Sequence, residues 1–375
     1  MELQATPIRG ARLAAGLACG CALILSGCLG SAGGEEPSRV EGDTATVYSS
    51  GPRDGASAAA AEAVLAGERR ALTEAGGRAG GLRIRLRELP ATDDDVDEPW
   101  DPALVDDNAH RAADDPSAIA YLGEQDYGAT AVSLPITNGA GLLQVSPGDG
   151  LTSLTQRAPG RPRAGPERYY PSDERSFVRI GPTDLAEAEY LLERIRAGGA
   201  KRIAVVFDRD IYGRELAAQI FARARRDGLE GVASEEYRGQ PEEIPDIARR
   251  VAEARPDAVI HAGVAGTWTT RLVSAIDAQL PATPLFATSG ILARERKLAL
   301  PHGPARIDAV GPAISLERSG YDAMRLVLDA VEEGRRDRRR VIAAARRLAP
   351  RVADARLALY RADADGRFER VGAAP

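Results

Sequence analysis

Cysteine is almost missing from this chain of 375 residues: there are three, Cys19, Cys21 and Cys28, all within the first thirty positions. No disulfide framework or thiolate metal site can therefore hold the rest of the chain together. Aromatic residues make up 5%, with five Phe and two Trp, so Ala, Val, Leu and Ile must fill any core. Lysine is reduced to Lys201 and Lys297. Nearly all positive charge is arginine, which with abundant Ala and Gly reads as codon bias rather than anion chemistry. The 49 basic side chains are outnumbered by 55 acidic ones, a net charge of -6 that is the wrong sign for neutralising phosphates, so nucleic acid is not an expected partner. What is present, 44% hydrophobic and 28% charged residues, excludes a disordered or collagen-like chain, and the length suggests about two domains.

Arg9 and Arg12 precede an apolar run over 13–25, which is short for a bilayer span and stops at Leu25-Ser26-Gly27-Cys28. This reads as a secretory signal over 1–27 that ends in a lipobox. Small residues before the cysteine admit the lipid-transfer and cleavage enzymes, and the Cys28 thiol accepts the diacylglycerol. Two acyl chains there would make a stable anchor. Residues 28–43, rich in Gly, Ser and Glu, read as a flexible tether.

Beyond the tether, short aliphatic runs alternate with Ala/Leu/Arg/Glu-rich helical patterns, which predicts βαβ units and a mostly parallel sheet. Strands are expected at 45–49, 82–86, 119–122 and 142–145, with helices at 56–75, 103–113 and 129–138. The pattern restarts with strands at 177–180, 203–207, 232–235, 258–261 and 285–287 and helices at 184–197, 213–227, 242–254 and 267–278. A long helical stretch at 320–348 and a hairpin, 357–361 with 367–371, come last. Two such successions imply two doubly wound α/β lobes joined by a hinge. The expected division is lobe one over 44–176, lobe two over 177–306, a return to lobe one over 307–348 and a closing hairpin in lobe two over 349–375.

Two loops break the alternation. The acidic cluster Asp93, Asp94, Asp95, Asp97, Glu98 and Asp101 lacks the glycine and the twelfth-position glutamate of an EF-hand, and reads as a solvated loop. The loop at 157–174 carries four prolines and several arginines around Tyr169-Tyr170, and is either a solvent-exposed connector or a lip over a cleft. No phosphate loop, nucleophile elbow or HExxH is present, and the glycines between Gly76 and Gly81 turn into a strand instead of opening a helix. His110, His261 and His302 are far apart, without metal-ligand spacing, and His261 is expected to be a packed or cleft-edge residue. No enzyme activity, metal or cofactor is expected.

The stretch at 121–156, YLGEQDYGATAVSLPITNGAGLLQVSPGDGLTSLTQ, resembles the leucine/isoleucine/valine-binding family of type I periplasmic binding proteins. AKRIAVVFDRDIYGRELA at 200–217, with Asp208 and Tyr212-Gly213 in a "D…YG" turn, and RPDAVIHAG at 255–263 follow in the same order and spacing. The resemblance implies two lobes closing on a ligand by hinge motion, with loops at 125–130, 146–152, 208–213, 263–267 and 288–290 facing the cleft. It also implies a function: a lipid-anchored, extracytoplasmic, monomeric receptor that presents a small solute to an ABC permease. In amino-acid-binding members a Ser and a Thr hold the ligand carboxylate and a Glu pairs with its ammonium. The matching positions here are Tyr127, Gly150 and Ser289, while the cleft tyrosine is kept as Tyr212. The expected ligand-binding set is Asp126, Tyr127, Ser146, Asp149, Gly150, Tyr212 and Ser289, with Asp126 or Asp149 as substitute acids. Binding of a free branched-chain amino acid is expected to be weak or lost. A rival reading is a lipoprotein of the same fold that regulates another envelope protein; an envelope enzyme would need paired groups of strongly shifted pKa in the cleft.

Overall fold

The structure, a computed structural model, describes residues 39–92, 100–163, 165–265, 268–292, 307–362 and 367–373. The lipobox at Cys28, the tether as far as residue 38 and the acidic cluster at 93–99 lie outside the described residues. Asp101, at the edge of that cluster, accepts the Ala103 N–H at 2.7 Å and so caps a helix.

The first half of the chain runs β1 (Thr44–Gly51), α1 (Ala58–Glu74), β2 (Arg78–Ala79), β3 (Leu82–Pro90), α2 (Pro102–Ala113), β4 (Ala118–Leu122), α3 (Thr130–Gly139), β5 (Leu143–Ser146) and β6 (Phe177–Arg179). The second continues with α4 (Asp184–Ala197), β7 (Arg202–Asp208), α5 (Ile211–Arg226), β8 (Glu230–Tyr237), α6 (Ile244–Glu253), β9 (Ala258–Ala262), α7 (Thr269–Gln279), β10 (Leu285–Ala287) and β11 (Ile307–Pro312). It ends with α8 (Leu316–Gly334), α9 (Arg338–Val352), β12 (Leu357–Ala362) and β13 (Phe368–Ala373). Among the described residues the strands form two sheets, ordered β2-β3-β1-β4-β5-β6 and β13-β12-β11-β10-β9-β7-β8. The first is parallel except for the β2–β3 pair, and the second except where β12 and β13 close it. The α/β reading with two parallel-dominated lobes is borne out.

Central strands such as β4 (AIAYL) and β9 (AVIHA) are buried along their whole length, as parallel strands covered on both faces must be. In lobe one α1, α8 and α9 cover one face through Ala71, Met324, Val327, Val331 and Ile342. In lobe two α4 and α5 cover one face and α6 and α7 the other. The α1–α8 crossing is unusually close. A Cβ on Gly320 would lie 2.0 Å from the Val64 carbonyl oxygen, and one on Gly67 1.9 Å from that of Glu317, so only glycine fits at either point.

Four expectations need correction. Phe177–Arg179 does not open lobe two but pairs with β5 as the edge of the first sheet, and the chain crosses only between Ile180 and Asp184. Ile307–Pro312, expected in the return to lobe one, is the parallel partner of β10 in the second sheet, and 349–352, assigned to the hairpin, are the last residues of α9. The long helical stretch is two helices. Arg335 takes a left-handed φ of 55°, and Asp337 caps α9 by accepting the Arg340 N–H at 3.1 Å. Crossings therefore occur near residues 180–184, 313–315 and 353–356. They are tied together: the Asp354 N–H donates to the Ile180 carbonyl at 2.8 Å and the Ala313 N–H to that of Arg356 at 2.9 Å.

Candidate ligand-binding cleft

The loops leaving the carboxyl ends of β4, β5, β7, β9 and β10 meet where the two lobes face each other. Contact between lobes is direct. The Thr152 hydroxyl donates to Gln219 Oε1 at 3.0 Å, the Ser153 N–H donates to Glu215 Oε1 at 2.8 Å, and the rings of Tyr127 and Tyr212 lie 4.5 Å apart, tilted by 38°. Tyr212 is fully buried near the start of α5 and shares a 3.0 Å hydrogen bond with the Thr288 hydroxyl, while Tyr127 is half-buried. These contacts bring Tyr127, Tyr212 and the loop of Ser289 together.

Ser146 and Asp149 are buried in the same region, but their polar atoms are engaged in shaping it. The Ser146 hydroxyl donates to the Glu124 carbonyl at 2.6 Å and accepts the Asp149 N–H at 2.8 Å. Asp149 accepts the Thr130 N–H at 3.2 Å, at the start of α3, and the Leu151 N–H at 3.0 Å. Its carboxyl thus occupies donors that a bound anion would otherwise seek. Asp126, next to Tyr127 in the loop after β4, is also buried, and its backbone carbonyl accepts the Ala129 N–H at 3.3 Å. Asp208, from the "D…YG" turn, accepts the Val264 N–H at 2.7 Å and so joins the β7 and β9 loops.

Gly150 has a clear physical reason. Its carbonyl accepts the Asp184 N–H at 2.8 Å, and a Cβ on it would lie 2.2 Å from Asp184 Oδ1. The missing side chain makes room for a carboxyl from the first turn of α4. In the same first turn, Glu187 accepts the Ser289 N–H at 3.1 Å, so the position that lost an acid receives one from another element. Burial pushes the Glu187 carboxyl up to about 7. Burial, and then the neighbouring charges of Glu187 and Asp149, hold the Asp184 carboxyl well above the usual range. Burial likewise raises Glu124 to about 8; its Oε1 accepts the Tyr121 hydroxyl at 2.7 Å. Arg179 lies under this acid group with its donors committed to the Asp149 carbonyl at 2.7 Å, the Leu151 carbonyl at 2.6 Å and the Thr155 hydroxyl at 3.2 Å.

Asp184, Glu187 and Arg179 are absent from the expected set. Thr183 caps α4 by accepting the Ala186 N–H at 3.2 Å, and acids in a first helical turn are the ordinary complement to the helix dipole. Nothing in their spacing separates ligand contacts from dipole partners. His261 is packed: burial lowers it to about 4, so it is neutral. The loop at 157–174 is neither a free connector nor an open lip at its tyrosines. Tyr169 and Tyr170 pack with Leu134, Leu151, Leu154 and Phe177, and the Tyr170 hydroxyl donates to the Leu154 carbonyl at 2.8 Å. Among the described residues no group of three or more His, Cys, Asp and Glu could hold a metal ion.

Comparison with known proteins agrees with this fold. An amino acid binding protein of Pseudomonas aeruginosa is 25% identical over 216 residues, which are 57% of this chain and 52% of that protein. The chain thus spans about half the length of the curated relative it matches. A leucine binding protein from Thermotoga maritima superposes with a TM-score of 0.68 at 16% identity, over 88% of this chain and 98% of that one. A solute binding protein of an ABC transporter from R. palustris, solved with benzoate, gives 0.66 at 17% over 88% and 96%. A substrate-binding protein from Desulfitobacterium hafniense, solved with Leu, gives 0.65 at 18% over 88% and 100%. The family model described as periplasmic binding protein matches residues 48–303. With two thirds of its length matched by that model, the chain belongs to the periplasmic binding protein family.

Proposed function

We propose that this protein is the lipid-anchored, extracytoplasmic receptor of an ABC transporter, which captures a small solute between its lobes and offers it to a permease. The observation that carries this reading is the meeting of five strand-end loops around Tyr127 and Tyr212, with hydrogen bonds from Thr152 and Ser153 bridging the lobes across the cleft. The solved structures it resembles include ABC-transporter solute binding proteins that hold benzoate or leucine. A regulator of another envelope protein would present an exposed apolar patch. The exposed large hydrophobics among the described residues are Leu316 and Val371, one in α8 of lobe one and one in β13 of lobe two.

The anchor is tested at Cys28. In the native envelope, Cys28→Ala should abolish metabolic labelling with a radioactive fatty acid and leave the protein unprocessed or free of the membrane. Persistent labelling and membrane retention of the variant would refute the lipobox reading. Transport is tested separately by deleting the gene and measuring uptake of candidate solutes.

A further inference from the structure

We infer that the solute is a small organic cation, with an ammonium group held by Asp184 and Glu187 beside the rings of Tyr127 and Tyr212, and without a carboxylate of its own. This rests on reading the interlobe cleft as the solute site.

Asp184 is fully buried, yet neither carboxyl oxygen has a hydrogen-bond partner in the protein. A buried polar group without partners is rare and calls for an explanation, and at the meeting of the two lobes a ligand's donors supply one. Glu187 shares the first turn of α4 with it and accepts the Ser289 N–H at 3.1 Å. The groups facing this pair from other elements are Asp149 from the β5 loop, Glu215 and Tyr212 from α5, and Tyr127 from the β4 loop; Tyr360 of β12 lies near Glu187. Arg179 is the cation among them, and its donors are already used by loop oxygens. A positive ligand would let these acids give up their protons and ionise against it, and the two phenol rings offer it electron-rich faces.

A ligand carboxylate finds no comparable reception. The first N–H groups of α4 are spoken for: Asp184 donates to the Gly150 carbonyl, Leu185 to the Thr152 hydroxyl, Ala186 to the Thr183 hydroxyl and Glu187 to the Thr183 carbonyl. The start of α3 is filled by Asp149, and position 150 has no hydroxyl.

The test is titration calorimetry on the full-length processed protein in detergent, with tyramine, putrescine and choline as cationic probes and leucine and benzoate as comparators. At least one cation should bind, and Asp184→Asn and Glu187→Gln should each weaken it tenfold or more while circular dichroism shows a folded chain. Should a variant fail to fold, the wild type still decides the matter. Affinity should rise between pH 6 and 8, and the binding heat should vary with the ionisation enthalpy of the buffer, because cation binding expels protons from the two acids. Binding of leucine or benzoate, but of none of the cations, would overturn the proposal and leave the solute-receptor reading intact. Binding of none of the five overturns the proposal, and an absence of any ligand from a wide solute screen would then count against the receptor reading as well.

Discussion

Glu124 is buried with one carboxyl oxygen bonded to the Tyr121 hydroxyl, and burial raises its carboxyl to about 8 against an unfolded value of roughly 4.3. Between those values the native state holds a proton that the unfolded chain has released. The contribution to stability is therefore complete below about pH 4 and is lost as pH rises through 8, with a slope of at most about 1.4 kcal/mol per pH unit. Glu187, at about 7, and Glu68, at about 8, act in the same sense. Glu124→Gln, which keeps an acceptor for Tyr121, should differ little from the wild type in urea unfolding at pH 4 and exceed it clearly at pH 8. Equal stability of the two proteins at both pH values would count against a buried proton here. The same residues mark what the sequence could reveal. Tyr212 could be named because the family resemblance at 200–217 carries a tyrosine beside a glycine after a strand. Asp184 and Glu187 were not, because their partners Gly150 and Ser289 lie 34 and 102 positions away along the chain.

Elements were more legible than their boundaries. Strands such as β4 and β9 announce themselves as short, continuous aliphatic runs, and the βα alternation follows from them. The break between α8 and α9 was hidden because Arg335, Arg336 and Asp337 continue the charged face of a helix, and only the left-handed Arg335 interrupts it. The sheet of β6 was equally hidden, since a three-residue strand carries no sign of which lobe it pairs with. The α1–α8 crossing supplies a prediction at this scale. In an exposed helix Gly→Ala stabilises by roughly 1 kcal/mol through helix propensity. At Gly320 the added methyl would meet the Val64 backbone, so Gly320→Ala should instead destabilise by about 1–3 kcal/mol, read as a lower urea midpoint. A raised midpoint would show that the helices can separate at little cost.

For the molecule as a whole, the bridges from Thr152 and Ser153 to Gln219 and Glu215 set how firmly the lobes stay together. A Glu215→Ala/Gln219→Ala double variant should favour an open form in the absence of solute, with a larger radius of gyration by small-angle scattering and an unchanged helix signal. An unaltered radius would assign closure to the tyrosine contact instead. The three crossings carry another consequence, which concerns the order in which the protein can be assembled. The interior of lobe one joins residues before Ile180 to Ala323–Ala345, near the other end of the chain. A polypeptide that emerges amino terminus first thus presents β1 to β6 long before α8 and α9 exist to cover them. Lobe one, although begun first, cannot be finished until lobe two is largely out, and throughout that interval its aliphatic face is open to the wrong partners.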